Sequence, residues 1–405
     1  MKNNISLEEA QSLLFEYCNV VESTKLDLAD TLESVLSEDI YSQENIPPFA
    51  RSPYDGYVLR AEDTVEASPA KPVTLEVIEE VPAGYTAKQP VRPGQAIKIL
   101  TGAPIPEGAD AVTKFEEVAV RDNTITITRQ YKPGEDIVPA GEDIAAGQIM
   151  ATKGTLITPP LMGVMASLGV AHVPVYKIPK VALISTGDEL IDASEDLRPG
   201  KIRNSNIYTL QGYLRTIGIK PIVIGMCKDT MEAVADLVEK GWEEADVVIT
   251  TGGVSVGDYD VIRFAADYLG AETLFWKIDI KPGSACLVAV REGKILIGLS
   301  GNPAAAIVTY QLLVVPFLKR MAGRNAYHNE TLVATMQADF RKGSPRRRFI
   351  RGRIVFENGL ANIETTGEQG NGVLSSLLGC DALAEVPEKS GPVKAGEKLT
   401  VYKVE

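Results

Sequence analysis

Three acidic residues of this chain follow apolar segments that have the composition of buried β-strands. They are Glu189 after the segment 181–185, Asp229 after 220–226, and Asp260 beyond 246–250 and its glycine-rich turn. In open α/β sheets, ligands bind beyond the carboxyl ends of the parallel strands. Carboxylates there suit Mg²⁺, which usually links one or two of them to substrate phosphates. We therefore predict that these three acids carry metal binding and catalysis.

Each of these acids also has a purely structural interpretation. Asp229 begins the run Asp-Thr-Met-Glu, which fits a helix N-cap with a capping-box partner. Glu189 and Asp260 fit a first helical turn, where acidic side chains stabilise the helix dipole. Only their coincidence at the ends of neighbouring strands favours the functional interpretation.

Glycine-rich turns at the same strand ends suggest a phosphorylated ligand. They contain Thr186, Gly252, Gly253 and Ser255, and the run Ser300, Gly301, Asn302, Pro303. Backbone amides at such turns and at helix N-termini bind phosphate. The turn after 246–250 matches neither a dinucleotide fingerprint nor a Walker sequence, and a tight strand-to-helix turn explains it equally well. The second run is almost fully explained by a helix start, with Asn302 as the N-cap and Pro303 as the first helical residue.

Basic side chains form two candidate anion-binding groups. Lys277 and Lys281 are four residues apart, which in an extended segment places both ammonium groups on one face. Isolated lysines are usually solvated, so this pair is weak evidence alone. The cluster 346–348 with Arg351 and Arg353 fits a solvated strand edge, although an anion site is a credible alternative.

The elements that must position these residues follow from hydrophobic periodicity. Residues 47–143 show short β segments between Pro-Gly turns, which predicts a small β domain. From 181 to 320 strand-like and helix-like segments alternate, which predicts a mostly parallel sheet covered by helices. After Gly323 the β pattern returns and predicts a C-terminal barrel or sandwich. The segments 181–185, 246–250 and 295–299 are each expected to run into a helix start, and a helix is expected near 204–216.

Bulk properties narrow the class of protein. The 405 residues predict two to four domains, and the net charge of −13 disfavours nucleic-acid and anionic-membrane partners. The apolar stretch 307–318 is too short to span a bilayer, and the N-terminus lacks a signal-peptide core. Four dispersed cysteines and two histidines exclude most thiol, His-metal and Ser-His mechanisms. A cytoplasmic location is expected.

Taken in order, the polar segments resemble the molybdopterin molybdenumtransferase family, which includes the C-terminal domain of gephyrin. The matching stretches are 52–57, 101–104, 141–144, 185–190, 252–260, 275–283 and 301–303. The resemblance covers nearly the whole chain, and the ordered set is specific although no single member is.

The resemblance implies a multidomain α/β plus β fold with four parts. They are an elongated helical segment (1–46 with 144–178), a β domain (47–143), a molybdopterin-binding α/β domain (179–324) and a C-terminal β-barrel (325–405). It also implies an elongated homodimer whose active site combines the α/β domain of one subunit with the β domain of the other. The implied reaction takes adenylylated molybdopterin and molybdate and releases AMP with the molybdenum cofactor.

Residue roles implied by the resemblance follow the matching motifs. Glu189 and Asp229 would bind Mg²⁺ and, with Asp260, cleave the pyrophosphate. Substrate would be held by Thr186, Gly252, Gly253, Ser255, Lys277, Lys281, Ser300, Gly301, Asn302, Pro303 and Arg351. Asp55, Thr101 and Asp143 would reach the site from the partner subunit, although turn chemistry alone explains their loops. The upstream adenylylating enzyme is a further candidate partner.

The chain departs from the family pattern at four places. Ser284 replaces a lysine, Ser300 replaces a proline, Arg348 replaces a glutamate, and Cys380-Asp381 replaces Ala-Asn. The missing lysine removes a cation near the implied molybdate site, and we hypothesise that Arg348 compensates. Two alternatives stay open: a non-catalytic paralogue that binds a pterin nucleotide or scaffolds partners, and another phosphate-transferring enzyme on the same fold.

Overall fold

The computed structural model describes residues 2–254 and 260–405. The chain begins with strand β1 (Lys2–Ile5), helix α1 (Leu7–Glu16), and strands β2 (Ser23–Asp27) and β3 (Ile40–Tyr41). The Ser6 hydroxyl caps α1 by accepting from the Glu9 amide, as the capping-box pattern predicts. Helix α1 buries Leu7, Ala10 and Leu14 in the core of the α/β region, so the N-terminal residues pack against residues that come much later in the sequence.

The β domain is a six-stranded sheet. Its strands are β4 (Gly56–Leu59), β5 (Val73–Val81), β6 (Gln95–Ile99), β7 (Ala111–Lys114), β8 (Ala119–Arg121) and β9 (Thr124–Ile127), in the spatial order β7-β4-β6-β5-β9-β8. A 3-10 turn at Phe115–Glu117 separates β7 from β8, where the sequence pattern read as one segment. The sheet ends place the 52–55 and 100–104 turns side by side.

A connecting region then returns to the N-terminal strands. It contains β10 (Ile149–Ala151), helix α2 (Pro159–Ser167) and β11 (His172–Tyr176). Strand β10 pairs with β3, and β11 pairs with β2, both antiparallel. Helix α2 begins at a Pro-Pro pair, since a proline suits the first helical turn where no amide partner is needed.

The α/β region is built on a seven-stranded, mostly parallel sheet, as predicted. Its elements are β12 (Val181–Thr186), β13 (Leu190–Ile191), β14 (Ile202–Arg203), α3 (Asn206–Thr216), β15 (Ile222–Cys227), α4 (Met231–Glu244), β16 (Val247–Thr251), α5 (Val261–Tyr268), β17 (Glu272–Ile278), β18 (Ile280–Lys281), β19 (Cys286–Arg291) and β20 (Lys294–Leu299). The strand order is β1-β17-β19-β20-β16-β12-β15, and only β19 runs antiparallel to its neighbours. Strands β20, β16 and β12 are adjacent and parallel, which brings their carboxyl ends to one edge.

One local prediction is wrong. No helix begins at the turn after β12, because residues 186–189 lead into the short strand β13, which pairs with β14, and the helix expected near 204–216 follows β14 as α3. The Leu190 amide donates to the Gly187 carbonyl and closes a turn there. Glu189 therefore does not lie in a first helical turn, and a dipole-stabilising role does not explain it.

The last strand of the sheet leads into a 19-residue helix, Pro303–Met321. It consists of α6 (Pro303–Thr309), a π-helical turn (Tyr310–Val314) and α7 (Val315–Met321). Its composition and length would suit a membrane span, but 89 % of its apolar window is buried inside the protein. It is the central core helix, packed between the sheet and α1.

The C-terminal domain is a closed barrel, as predicted. Its strands are β21 (Thr331–Met336), β22 (Arg347–Glu357), β23 (Leu360–Thr365), β24 (Ala382–Val386) and β25 (Lys398–Lys403), and β22 closes the ring by pairing with β24. Strand β18 of the α/β region also joins β22. This pairing, which the sequence pattern did not indicate, attaches the lysine-containing segment to the arginine-rich strand.

Candidate functional site

Asp229 lies just after β15, and its carboxylate is hydrogen-bonded to a residue at the end of the neighbouring strand β12. The Thr186 hydroxyl at the end of β12 donates to Asp229 Oδ1. Asp229 does not cap α4, because Thr230 occupies the N-cap position and accepts from the Ala233 amide at 3.4 Å. The capping interpretation of Asp229 is therefore wrong, and its exposed carboxylate is available to a ligand.

Glu189 lies in the turn between β12 and β13. A Cβ atom added at Gly187 would approach Glu189 Oε2 to 2.6 Å, so the carboxylate folds back over the glycine. Thr186 and Glu189 line one small cavity of about 60 Å³ together with Thr251, Gly301 and Pro303. The structure thus brings together side chains from the ends of all three adjacent strands.

Asp229, bonded to Thr186, and Glu189, which lines a cavity with Thr186, are both exposed carboxylates that suit a hard cation shared with phosphate oxygens. Among residues 2–254 and 260–405, no group of three or more His, Cys, Asp or Glu side chains converges. A metal held by protein ligands alone is therefore not indicated in this part of the chain. Two carboxylates completed by phosphate and water remain a chemically suitable donor set for Mg²⁺.

The diglycine turn after β16 is required by close backbone packing. Gly252 has φ +91°, and a Cβ atom there would lie 2.1 Å from the Thr186 carbonyl oxygen. Gly253 has φ +65°, and a Cβ atom there would lie 3.0 Å from the Thr186 hydroxyl oxygen. The glycines bring the backbone of β16 against the Thr186–Asp229 pair. Ser255, predicted to bind substrate, lies outside the described residues.

Asp260 is the one buried acid of this group, at 3 % exposure. Its Oδ1 caps α5 by accepting from the Arg263 amide at 3.4 Å, whereas Oδ2 has no hydrogen-bond partner in the described part of the chain. Burial raises the pKa of Asp260 to about 6, against the opposing effects of Arg263 and Lys277. A carboxyl group with that pKa exchanges protons readily near neutral pH.

The turn before α6 has the predicted N1 proline, but its amides are already partly used. Asn302 occupies the N-cap position without a side-chain cap, and its amide donates to the Ser300 hydroxyl at 3.2 Å. The Ala305 amide donates to the Asn371 carbonyl of the C-terminal domain at 3.2 Å. Asn206 on α3 donates to the Gly301 carbonyl at 2.9 Å. Phosphate binding here would therefore rely on fewer amides than predicted.

The two predicted lysines do not form a simple one-faced pair. Lys277 has φ +70°, which breaks the strand alternation that the four-residue spacing assumed. Its ammonium group lies 3.8 Å from the centre of the Trp276 ring. Lys281 is exposed and pairs in register with Arg348 through β18 and β22. Lys277 is nevertheless near Asp260, since it acts electrostatically on that carboxyl group.

The arginine cluster is not a solvated strand edge. Arg348 is 6 % exposed and Arg351 is fully buried, whereas Arg353 is exposed and pairs with Glu364 at 2.7 Å. Arg347 makes ion pairs with Glu8 and Glu385. The cluster therefore joins the barrel to the rest of the molecule.

The hypothesis that Arg348 compensates for Ser284 does not fit this geometry. Arg348 lies 5.4 Å from the Phe340 ring, whose side chain belongs to the barrel core. Arg346 instead donates to the Ser284 hydroxyl at 3.0 Å and pairs with Asp279 at 3.2 Å. Sequence reasoning missed Arg346 individually because it treated the arginines as a group.

The β-domain residues form a separate polar site. The Asp55 carboxylate accepts from the Thr101 amide and hydroxyl, both at 2.7 Å, and these bonds lower the pKa of Asp55. Asp143 is exposed in the connection to the N-terminal region, and its amide donates to the Ile46 carbonyl. Among the described residues, no hydrogen bond or ion pair joins this domain to the α/β region of the same chain.

Asn371 and Asn206 were also missed, and each reaches the α6 turn from a distant segment. No local motif surrounds either residue, so neither could have been found by spacing. Their contacts depend on the docking of α3 and of the C-terminal domain against α6.

Comparisons with known proteins agree with this arrangement of domains. Three family models match: the MoeA N-terminal region (domain I and II) over residues 5–169, the probable molybdopterin binding domain over 182–320, and the MoeA C-terminal region (domain IV) over 333–404. The chain is 36 % identical to the molybdopterin molybdenumtransferase of Staphylococcus epidermidis, covering 99 % of this chain and 96 % of that protein.

Two further relatives extend the agreement. The molybdopterin molybdenumtransferase of Bacillus subtilis is 36 % identical over 98 % of this chain and 93 % of its own length. The crystal structure of the molybdopterin biosynthesis MoeA protein from Pyrococcus horikoshii superposes with a TM-score of 0.84 at 35 % identity, covering 99 % of this chain and all of that one. The chain belongs to the MoeA family.

Proposed function

We propose that this protein is a molybdopterin molybdenumtransferase of molybdenum cofactor biosynthesis, which inserts molybdate into adenylylated molybdopterin and releases AMP. The relatives with transferase names support the general activity. The observation that carries the finer proposal is the set of Thr186, Asp229 and Glu189 at adjacent strand ends. Cleavage of a phosphoanhydride needs positioning and charge neutralisation more than a strong base.

The two exposed carboxylates would hold Mg²⁺ together with phosphate oxygens, and the ion would neutralise charge on the phosphoanhydride. Thr186 orients Asp229 through its hydroxyl group. Gly301 lines the same cavity as Thr186 and Glu189, and the free amides of its turn would take phosphate oxygens. Asp260, with its pKa near 6, would accept a proton during the cleavage. Lys277, Lys281 and Pro303 would line the pocket.

We also propose that the active protein is a homodimer with a shared site. Asp55 and Thr101 are hydrogen-bonded to each other, and within residues 2–254 and 260–405 no hydrogen bond or ion pair joins their domain to the α/β region of the same chain. A second subunit that places this loop, and Asp143, over the carboxylates of the first would complete the site. The adenylylating enzyme remains a proposed partner, and a cytoplasmic location is proposed from the biosynthetic role of the relatives.

The direct test is to incubate the protein with adenylylated molybdopterin in the presence of Mg²⁺ and to measure the release of AMP with and without molybdate. We expect molybdate-dependent release that falls by about 10²–10³ in Glu189→Gln, the usual range for loss of electrostatic stabilisation. Glu243→Gln removes one exposed charge from α4 and serves as the control. Tight nucleotide binding without AMP release would favour the non-catalytic alternative, which the names of the relatives do not favour.

The shared site has its own test. Asp55→Asn and Asp229→Asn homodimers should each be inactive, and mixing them should restore activity, because one of the two sites in a mixed dimer has both native residues. Mixtures that stay inactive after subunit exchange would contradict the shared site.

A further inference from the structure

Trp276 interacts with two predicted site residues, Asp260 and Lys277, through different parts of its ring system. It lies on β17, immediately before Lys277. Its side chain packs against the core cluster that contains Ile262 of α5. Asp260 is the N-cap of that helix, so the tryptophan lies beside the cap and the acid.

The edge of the indole faces the acid. Trp276 Nε1 and Asp260 Oδ2 are both buried, and neither has another hydrogen-bond partner in the described part of the chain. Burial raises the pKa of Asp260, whereas Arg263 on α5, Lys277 on β17 and the Trp276 side chain, acting as a hydrogen-bond donor, oppose that rise. An indole N–H only donates and a carboxylate only accepts, so the two unused atoms match each other.

The face of the same ring holds the lysine. In a regular strand, Lys277 would lie on the face of Phe275, opposite to Trp276. The pairing of β17 with β19 shifts register between Thr273 and Phe275, and Lys277 itself has φ +70°. A positive φ is uncommon for a residue other than glycine. Here it accompanies an ammonium group that lies 3.8 Å from the centre of the Trp276 ring.

The acid and the lysine do not pair with each other. Lys277 acts electrostatically on Asp260, yet neither side chain makes an ion pair within residues 2–254 and 260–405. A direct ion pair would favour the charged forms of both groups and make the carboxylate a weaker base. It would also occupy the ammonium group. The indole lies with its edge towards one charge and its face under the other, which separates them.

We propose that Trp276 is a positioning residue that keeps Asp260 and Lys277 apart, with the acid at its N–H edge and the ammonium group over its face. The lysine then stays available to an oxyanion of the substrate, and the acid stays available to accept a proton. This inference rests on the proposed function for those two roles, whereas the arrangement of the three side chains does not depend on it.

Two substitutions separate the edge of the ring from its face, and the pH profile of AMP release distinguishes them. Trp276→Phe keeps an aromatic face but has no N–H donor, so the pKa of Asp260 should rise. The acid limb should move to higher pH by about one unit, the effect of losing one hydrogen bond to the charged form. AMP release at about pH 6, the pKa of Asp260 in the wild-type protein, should then fall by about fivefold.

Trp276→Leu removes the face as well as the edge. Lys277 can then pair directly with Asp260, which lowers the pKa of the acid, so the acid limb should move to lower pH by about one unit. The KM for adenylylated molybdopterin should rise because the lysine is occupied. The two variants are therefore expected to shift the limb in opposite directions, which a general loss of packing would not produce.

Trp242 provides the matched control, because it makes the same two kinds of contact outside the predicted site. Its Nε1 donates to the Ile295 carbonyl at 3.2 Å, and the Arg291 guanidinium lies 4.4 Å from the centre of its ring. Trp242 is also buried in the same core cluster as Ile262. Trp242→Phe should leave the pH profile and the KM unchanged.

A second measurement uses no ligand. The chain has two tryptophans, so Trp276 is the single indole in Trp242→Phe protein. Its fluorescence emission should change with a midpoint near pH 6, because the charge at its N–H edge changes there. Adding Asp260→Asn should abolish this transition. Trp276→Phe protein, which keeps only Trp242, should show no transition in that range.

Two results would overturn the proposal. One is emission from Trp276 that stays constant around pH 6, or that still changes there after Asp260→Asn. The other is an acid limb that moves in the same direction in the Phe and Leu variants, or in neither. If Trp276→Leu does not fold, Trp276→Phe and the fluorescence titration decide the question. The titration needs no substrate, so it stands even if the wild-type protein releases no AMP and the proposed function fails.

Discussion

The α/β region and the β domain hold their candidate acids in opposite ways. Asp260 is buried beside the sheet, keeps one oxygen without a partner in the described part of the chain, and has its pKa raised to about 6. Asp55 is in solvent on a surface loop and has its pKa lowered by two hydrogen bonds from Thr101. One acid is prepared for proton exchange near neutral pH, whereas the other stays ionised throughout that range.

This difference suggests a division of labour within one site. A group that stays charged can attract a cation or a ligand donor without changing its state. A group that titrates near the working pH is suited to accept or donate a proton. The comparison therefore predicts that substitutions at the two acids differ in size and in pH dependence.

The largest effect is expected for Asp260→Asn. Asparagine caps a helix as well as aspartate does, so α5 should keep its N-terminus, while the proton-accepting group is lost. AMP release should fall by about 10²–10⁴, the usual contribution of a positioned acid or base. In the wild-type protein, activity should fall as the pH drops through about 6, because the carboxylate form is lost there.

The control for this substitution is Asp267→Asn, an exposed acid on the same helix. It should leave both the rate and the pH profile unchanged. A pH profile that keeps its acid limb in Asp260→Asn would assign that limb to another group and remove Asp260 from the proton transfer.

A smaller effect is expected when the β-domain acid is weakened. Thr101→Val keeps the shape of the side chain and the amide bond to Asp55 but removes the hydroxyl donor. The pKa of Asp55 should rise towards its usual value, which is still well below that of Asp260, so the pH at which activity is lost should not change. We expect AMP release to fall by about tenfold or less, in line with one hydrogen bond to a charged group. Thr86→Val, on another exposed loop, should have no effect.

The sequence predicted the strand ends correctly but not all that follows them. Adjacent parallel β12, β16 and β20 follow from the apolar segments and their turns. The helix start expected directly after β12 is absent, because the 186–189 turn closes on itself and leads into the β13–β14 pair, and α3 begins only at Asn206. The local sequence pattern predicts the strand and the turn. Whether a strand or a helix follows the turn depends on pairing with β14, twelve residues later, which the local pattern does not contain.

The contacts across domains were beyond any local pattern. The β18–β22 pair, the Arg346–Ser284 bond and the Asn371–Ala305 bond each join segments more than 60 residues apart. Arginine spacing indicated basic side chains but could not separate buried Arg348 and Arg351 from exposed Arg353. The predicted site residues of the α/β region come from strand ends, whereas Asn206 and Asn371 reach the α6 turn from distant segments that no strand pattern indicates.

A few-fold effect on molybdate dependence is expected for Arg346, the cation bound to Ser284 at the position where the family has a lysine. Arg346→Ala removes the group bound to Ser284, and should raise the molybdate concentration needed for half-maximal AMP release by about three- to tenfold. Arg348→Met should lower stability without changing molybdate dependence, since this side chain lies in the barrel. Glutamate at position 348 would bury an acid there and confound the assay. Arg341→Ala, at an exposed arginine of the same domain, is the control. Equal effects of the Arg341 and Arg346 variants would show that surface charge in general, and not Arg346, sets the molybdate dependence.

The smallest effect on activity is expected for Tyr131→Phe. This variant tests whether Glu117, an acid of the β domain that accepts from the Tyr131 hydroxyl, is purely structural. The buried Tyr131 hydroxyl bonds to Thr113 at 2.5 Å and to Glu117 at 2.8 Å, and Arg129 stacks on its ring. Arg129 and then Tyr131 lower the pKa of Glu117, so that acid contributes stability above its usual pKa and loses it as the pH falls through the lowered value. Calorimetry should show a loss of about 1–2 kcal/mol with acid unfolding at higher pH, and unchanged AMP release. A rate that falls with the hydroxyl would instead connect this network to the Asp55 loop, and the β domain would then take part in the reaction through its core as well as its edge.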